Sequence, residues 1–276
     1  MENIPRSSSD RTAKEIARQV AMKAGEILTD RFGRVNNVSL KSRGNIVTEV
    51  DTEVETEMLS ILKTEYPGMG ALGEESGGSK ADKGYVWILD PLDGTRNYAS
   101  GIPFYSTVVG LAKDGEPVLG INYDPVSNSM FEAEKGKGAF LNNKAIKVSE
   151  RTVLADCVVG MDLSYQDDGA AAGLDVIRSI WPGMQTARIM GSSALGISYA
   201  AAGLVDIYFH HRLEPWDQVA GLLLVREAGG IITDRTGGHA GLYSDGLIAS
   251  NPTLHAELMR ITNEMAWGKP NQRPTP

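Results

Sequence analysis

Val86-Trp87-Ile88-Leu89-Asp90-Pro91-Leu92-Asp93-Gly94-Thr95-Arg96-Asn97-Tyr98 is an apolar run that breaks off into two carboxylates, a glycine and a threonine. The first four residues are mostly β-branched or aromatic and are bounded by polar turn residues, the pattern of a strand buried on both faces. Asp90 therefore emerges from the core at a strand end. Pro91 cannot donate to a sheet ladder and is expected to end the strand, and Asp93-Gly94 turns the chain sharply. Two carboxylates then face one small space. Like charges held that close raise each other's pKa unless a cation neutralises them, so the stretch reads as a metal site. Read alone it also fits a plain loop turn at Asp93-Gly94 beside a satisfied strand-end Asp90, because Asp-Gly is a common turn dipeptide. The spacing of an EF-hand calcium loop is missing.

Outward from that stretch, 276 residues with 42% hydrophobic content suffice for one large domain or two closely packed halves, and 31 glycines point to a turn-rich mixed α and β chain. A single cysteine, Cys157, excludes an internal disulfide and, among Ala155, Val158 and Val159, reads as an inert core thiol in a reducing compartment. No apolar run approaches a membrane span and residues 1–10 lack an apolar signal core, so a soluble, cytoplasmic protein is expected. The formal net charge of -8 argues against nucleic acid as the main partner. It leaves room for an anionic small substrate if some of the acids hold divalent cations.

Residues 1–9 read as a loose tail. Thr12 and Glu15 form a capping-box pattern ahead of Ile16, Val20, Ile27 and Phe32 at helical spacing, with Gly33 as the stop. A short strand at 38–40, a basic turn at 41–44 and the segment 45–48 lead to Asp51, which reads as an N-cap of a second helix carrying Val54, Met58, Ile61 and Leu62. Glu53, Glu55 and Glu57 read as its solvated face. Residues 71–73 precede the paired acids Glu74-Glu75 in a glycine-rich loop. From Tyr105 to Val148, short strands broken by Asp114-Gly115, Asp124-Pro125, the 136–138 glycines and Asn142-Asn143 suggest an antiparallel meander. Strands are expected at 157–161, 186–190, 204–209, near 231 and at 247–249, and helices at 169–180, 192–202, 217–228 and 252–267, with residues 268–276 frayed. The first half, 1–150, is then α+β and the second, 151–276, α/β, a layered sandwich.

In Glu214-Pro215-Trp216-Asp217, Asp217 opens a long apolar helix and by itself reads as an N-cap. Glu74, Asp90, Asp93 and Asp217 nevertheless share one trait: each sits at an element end beside apolar sequence. Oxygen donors without a His or Cys cluster select hard cations, most naturally magnesium.

Gly73-Glu74-Glu75-Ser76, Trp87-Ile88-Leu89-Asp90-Pro91-Leu92-Asp93-Gly94-Thr95, and Pro215-Trp216-Asp217 through Glu227-Ala228-Gly229-Gly230 resemble, in that order and at compatible spacing, the inositol monophosphatase family of magnesium-dependent, lithium-sensitive phosphatases. Lys41 through Asp51 fits the family's early segment, with Asn45 where an Asp is usual. The resemblance covers nearly the whole chain. It implies an αβαβα sandwich shared with fructose-1,6-bisphosphatases and a homodimer. It implies two or three Mg2+ ions held by Glu74, Asp90, Asp93, Asp217 and the carbonyl of Leu92, with Glu75 in support. It implies further that Thr95, paired with Asp51, orients and deprotonates a water held by the metals, in an in-line displacement without a covalent phosphoenzyme. Backbone N–H groups of Gly94 and Thr95, if they open a helix, can hold the phosphate; Thr95 as a plain N-cap is the compatible alternative.

By the same resemblance, Gly191-Ser192-Ser193 lines the pocket for a phosphorylated polyol or sugar, together with Asp93. His210 stands where the animal inositol phosphatases place a Glu that accepts from inositol hydroxyls, and a neutral imidazole offers one donor and one acceptor instead. Read blandly, His210-His211 is a polar strand end on the surface. The leading substrate is myo-inositol 1-phosphate. Gly101-Ile102-Pro103-Phe104-Tyr105 is similar to microbial members that also cleave fructose 1,6-bisphosphate, and relatives acting on histidinol phosphate or 3′-phosphoadenosine 5′-phosphate share the metal motifs. A descendant that serves only as a partner of the transcription machinery is the alternative from another class.

Overall fold

The computed structural model describes residues 4–34, 38–42 and 45–269. Arg43 and Gly44 of the expected basic turn, residues 1–3 of the expected tail and 270–276 of the expected frayed end lie outside the described residues.

The chain opens with helix α1 (Ala13–Arg31), strands β1 (Val38–Ser42) and β2 (Asn45–Thr48), and helix α2 (Glu49–Glu65). The capping box at Thr12 and Glu15 is formed as expected. Residues 4–9 are not loose, however. Ser7 is buried and accepts from Arg11 N, and Ser9 Oγ donates to Glu65 at 2.6 Å, so hydrogen bonds to the end of α2 tie the segment down.

Strands β3 (Gly70–Gly73), β4 (Gly77–Gly78) and β5 (Tyr85–Asp93) follow, then helix α3 (Thr95–Ala99) and the meander β6 (Ser106–Lys113), β7 (Glu116–Asp124), β8 (Ser129–Glu134), β9 (Ala139–Leu141) and β10 (Lys144–Ala145). They form one sheet in the order β10-β9-β8-β7-β6-β5-β3-β4, antiparallel except where β3 runs parallel to β5. The second half supplies β11 (Val158–Asp162), α4 (Asp167–Ile180), β12 (Thr186–Ile189), α5 (Ser193–Ala201), β13 (Ile207–His210), α6 (Pro215–Glu227), β14 (Ile231–Thr233), β15 (Leu247–Ser250) and α7 (Pro252–Thr262). Its sheet runs β12-β11-β13-β15-β14, with β11 parallel to both neighbours. The last helix stops at Thr262, short of the expected Trp267; a separate 3-10 turn at Ala266–Gly268 buries the indole.

Side-chain alternation explains the layering. On β5, Trp87 and Leu89 face α1 and α2, while Val86 and Ile88 face a core shared with α5 and α6. On β13, Tyr208 joins that same central core, and Ile207 and Phe209 point the other way, to α4 and α7. The order is therefore helix, sheet, helix, sheet, helix, as expected for an αβαβα sandwich. Each large apolar side chain taken fully out of water stabilises this stack by about 1.5–3 kcal/mol. Helix α6 lies close on the large sheet where β6 and β7 carry Gly110 and Gly120; a Cβ on Gly120 would stand 2.6 Å from the Ala220 backbone. That close approach brings the first turn of α6, with Asp217, to the end of β5.

Among the described residues no helix is long and apolar enough to cross a membrane.

Candidate active site

Strand β5 does not end at Pro91. Its pairing with β6 runs through Asp90↔Val108 and resumes at Asp93↔Ser106, three steps on β5 against two on β6. This is a bulge, and the proline nitrogen, which has nothing to donate, falls inside it. The bulge puts both carboxylates at the strand end. Asp90 Oδ1 accepts from Leu92 N at 2.9 Å, and Thr107 Oγ1 holds the Asp90 carbonyl at 3.0 Å. Gly94, with φ +92°, is the N-cap of α3, so Thr95 is its first helical residue rather than the cap.

Ligand atoms of Asp90, Asp93 and Asp217 all lie within 4.8 Å of one another. Asp217 reaches this point from the third helical position of α6. Glu214 is the N-cap and Pro215 follows it, so the expected capping role of Asp217 is instead the return half of a capping box, accepting from Glu214 N at 2.8 Å. Burial pushes Asp90 and Asp217 well above the usual carboxylate range, and the charges of Glu74 and Asp93 push the same way. Asp93 is also raised by burial, against the pull of Ser192 and Ser193. Among the described residues no Lys or Arg stands within ion-pair distance of Asp90, Asp93 or Asp217. Hard oxygen donors raised by one another and unpaired with a basic side chain fit a divalent cation.

Glu74 follows β3, where its N–H donates to Leu89 O at 3.2 Å and fixes its loop beside β5. The loop is held by Glu55, expected on the solvated face of α2. Glu55 is buried, and its two oxygens accept from Glu75 N at 2.9 Å and Ser76 N at 2.7 Å. A signal existed in the sequence: Asp51, Glu55, Met58 and Leu62 fall on one face of α2. Glu55→Gln should place an amide N–H against a backbone N–H and loosen Glu74. The expected result is a divalent-cation affinity lowered about 10–100-fold, read from the rise in melting temperature against Mg2+ concentration.

Asp51 is likewise not the N-cap. Thr48 caps α2, and Asp51 Oδ2 accepts from Thr48 N at 2.9 Å and Thr48 Oγ1 at 2.5 Å. That leaves Oδ1 for Thr95, whose Oγ1 lies 3.2 Å from it and 3.0 Å from Leu92 O. Burial holds Asp51 above its ordinary pKa.

Asp93 also joins the two halves. Its carboxylate accepts from Ser192 Oγ, Ser193 N (3.2 Å), Ser193 Oγ (2.9 Å) and Ala194 N (3.2 Å), at the start of α5. His210 and His211 are buried, not a surface strand end. His210 Nδ1 accepts from Arg212 N at 3.1 Å, and burial with His211 alongside pushes its pKa down to about 3. Burial and Arg235 push His211 down to about 4. Both rings are neutral in the folded state. They bind fewer protons than the unfolded chain, so the stability they contribute is complete above about 6.5 and is lost as pH falls toward 4 and 3. Each steepens that acid loss by up to about 1.4 kcal/mol per pH unit. His210→Asn, whose Oδ1 can still accept from Arg212 N, should flatten it in urea titrations between pH 7 and 5 with saturating Mg2+.

This arrangement groups acids at strand and helix ends of a five-layer sandwich so that Asp90, Asp93 and Asp217 could hold a metal ion. The chain belongs to the inositol monophosphatase family, whose model matches residues 10–266. It is 37% identical to the fructose-1,6-bisphosphatase/inositol-1-monophosphatase of Thermotoga maritima over 88% of this chain and 93% of that protein. It is 34% identical to Nus factor SuhB of Pasteurella multocida over 88% and 93%. The crystal structure of extragenic suppressor protein suhB from Bartonella henselae superposes with a TM-score of 0.86 at 36% identity, covering 91% of this chain and 98% of that one.

Proposed function

We propose that this protein hydrolyses a phosphate monoester to an alcohol and inorganic phosphate with Mg2+, and that inositol 1-phosphate is its leading substrate. The observation that carries the reading is the convergence of Asp90, Asp93 and Asp217 within 4.8 Å, with the Thr95–Asp51 hydrogen bond at the same strand end. Asp90, Asp93, Asp217, Glu74 and the Leu92 carbonyl are the groups that would hold two or three ions. Bound there, the cations supply a water of lowered pKa and neutralise charge on the phosphate. The rest falls to the chain. Thr95 Oγ1 orients the attacking water and passes its proton toward Asp51, whose raised pKa suits a base. The N–H groups of Gly94 and Thr95 hold the phosphate. Gly191, Ser192, Ser193 and Asp93 meet the alcohol side, with His210, whose Nδ1 is taken by Arg212 N, offering one donor from Nε2 in place of a carboxylate. No side chain in this scheme becomes phosphorylated. A homodimer in the cytoplasm is part of the same reading.

A dual inositol monophosphatase and fructose-1,6-bisphosphatase is the second reading, favoured by the double name of the Thermotoga relative. Phosphate release with Mg2+ from inositol 1-phosphate, fructose 1,6-bisphosphate, histidinol phosphate and 3′-phosphoadenosine 5′-phosphate separates them. Preference for inositol 1-phosphate supports the leading reading, and equal or faster release from the bisphosphate supports the second. Release from none of them contradicts both and favours a binding role of the kind the Nus factor relative's name suggests.

A further inference from the structure

Asp162 ends β11 in the same way that Asp90 ends the apolar run of β5, yet the scheme above does not use it. It is buried, and no basic side chain pairs with it among the described residues. Its Oδ1 accepts from Met190 N at 2.8 Å and from Gly191 N, and its Oδ2 accepts from Tyr208 Oη at 2.8 Å. Three donors on one side chain call for a group that only accepts. The same turn is held from its other side. Asn97 Nδ2 donates to Met190 O at 3.1 Å and to Phe104 O at 2.8 Å. Gly191 has φ +80°, and a Cβ there would meet the Asn97 amide at 2.7 Å. The next residues, Ser192 to Ala194, are the ones that hold Asp93. A chain of hydrogen bonds thus runs from Tyr208 through Asp162 and turn 190–191 to the Asp93 carboxylate.

We propose that Asp162 is a positioning residue: by clamping the N–H groups of Met190 and Gly191 it sets the pocket turn, and through Ser192 and Ser193 the orientation of Asp93. The proposal rests on the phosphatase reading for its kinetic consequence but not for its geometry. Burial pushes Asp162 up to about 7, so the site bears the cost of a buried acid that an apolar strand end would avoid. A displacement of about 1 Å in a group that meets substrate can cost about 100-fold in rate.

The test compares three full-length variants. Asp162→Asn keeps an oxygen for the two N–H groups and can donate to a rotated Tyr208 hydroxyl, so it should stay within about 3-fold of wild type in kcat and KM. Asp162→Ala removes the clamp, and Asp162→Glu keeps the charge but pushes the turn outward by a methylene. Both should raise KM for inositol 1-phosphate by about 10-fold or more, with a smaller change in kcat, consistent with a misplaced pocket. Wild-type kinetics in Asp162→Glu, or in a folded Asp162→Ala that has lost only thermal stability, would overturn the proposal. So would an Asp162→Asn as impaired as Asp162→Glu, since a variant that keeps the acceptor oxygen in place would then fare no better than one that displaces it. If the wild type itself releases no phosphate, the function reading fails on its own. Crystal structures of Asp162→Glu and Asp162→Asn then decide: a shifted turn 190–193 and Asp93 only in the first supports the clamp, and an unmoved Asp93 in both overturns it.

Discussion

Asp217→Asn leaves the chain folded, lowers magnesium-dependent phosphate release by about 10³-fold or more, and raises the melting temperature of the metal-free protein. The first loss is the rate equivalent of about 4 kcal/mol, the order of what a cation contributes to charge stabilisation in such a displacement. The gain in stability has a separate origin. Asp217 is pushed well above its free value of 3.8 by burial and by Glu74 and Asp93. The folded state therefore holds that proton more tightly than the unfolded chain. The stability this contributes is complete below about 3.8 and is lost as pH rises through the folded pKa, so metal-free protein above that pKa carries unrelieved repulsion. An amide keeps the acceptor for Glu214 N and removes the charge. Relief of about 1 kcal/mol would raise the melting temperature by about 2–4 °C. Thermal melts in chelator and in Mg2+, at pH 5 and 8, check both parts. In wild type, magnesium should stabilise more at pH 8 than at pH 5; in Asp217→Asn most of that response should vanish. Asp93→Asn differs, because the N–H groups of Ser193 and Ala194 sit on different oxygens. Its amide nitrogen would face one of them, adding a stability cost of about 1–3 kcal/mol to the lost turnover.

Thr95→Ala is expected to lower kcat by about 10²–10⁴, the range for a lost general acid–base contribution, with little change in the magnesium concentration that half-saturates the enzyme. The hydroxyl is placed by Leu92 O and Asp51 Oδ1, and no side chain caps α3, whose N-cap is Gly94. Losing the hydroxyl therefore leaves the helix intact and removes one donor from a buried carboxylate. Thr95→Ser retains the donor and should keep most of the activity. Single-turnover phosphate release in the two variants separates a chemical role from one in packing. Equal activity in Thr95→Ala and wild type would remove Thr95 from the mechanism.

Much of this site was legible because its residues break local patterns. An apolar strand that ends in Asp90 and a glycine turn behind Asp93 are visible at short range, as is a capping signature at Thr12 and Glu15. The layers were legible from the order of elements, an α+β first half before an α/β second half; the split of β5 between two cores appears only in the fold, because its run is apolar at every position. What local reading could not see were contacts made across the fold. Glu55 looks solvated in sequence because three glutamates alternate with other residues on α2, but its i+3 and i+7 neighbours are Met58 and Leu62, and its oxygens serve a loop 20 residues away. The caps of α2 and α6 lie one helical turn before the expected Asp51 and Asp217: Thr48 and Glu214 precede them by three residues, and each acid is the return half of a capping box. His210 and His211 looked like a surface pair because polarity was read without knowing that β13 is central in its sheet. Asp162 repeats the signature of Asp90, an apolar run ending in a carboxylate, and its partners in the 190–191 turn lie too far along the chain for spacing to reveal.

In the proposed function the carboxylates at the end of β5 and the start of α6 form one divalent-cation centre. Anomalous diffraction from crystals soaked with Mn2+ in place of Mg2+ tests it most directly. Two or three manganese peaks are expected within coordination distance of Asp90, Asp93, Asp217 and Glu74, with the Leu92 carbonyl among the ligands, and their loss in Asp217→Asn. Manganese bound elsewhere, with that carboxylate cluster empty at saturating ion, would contradict it.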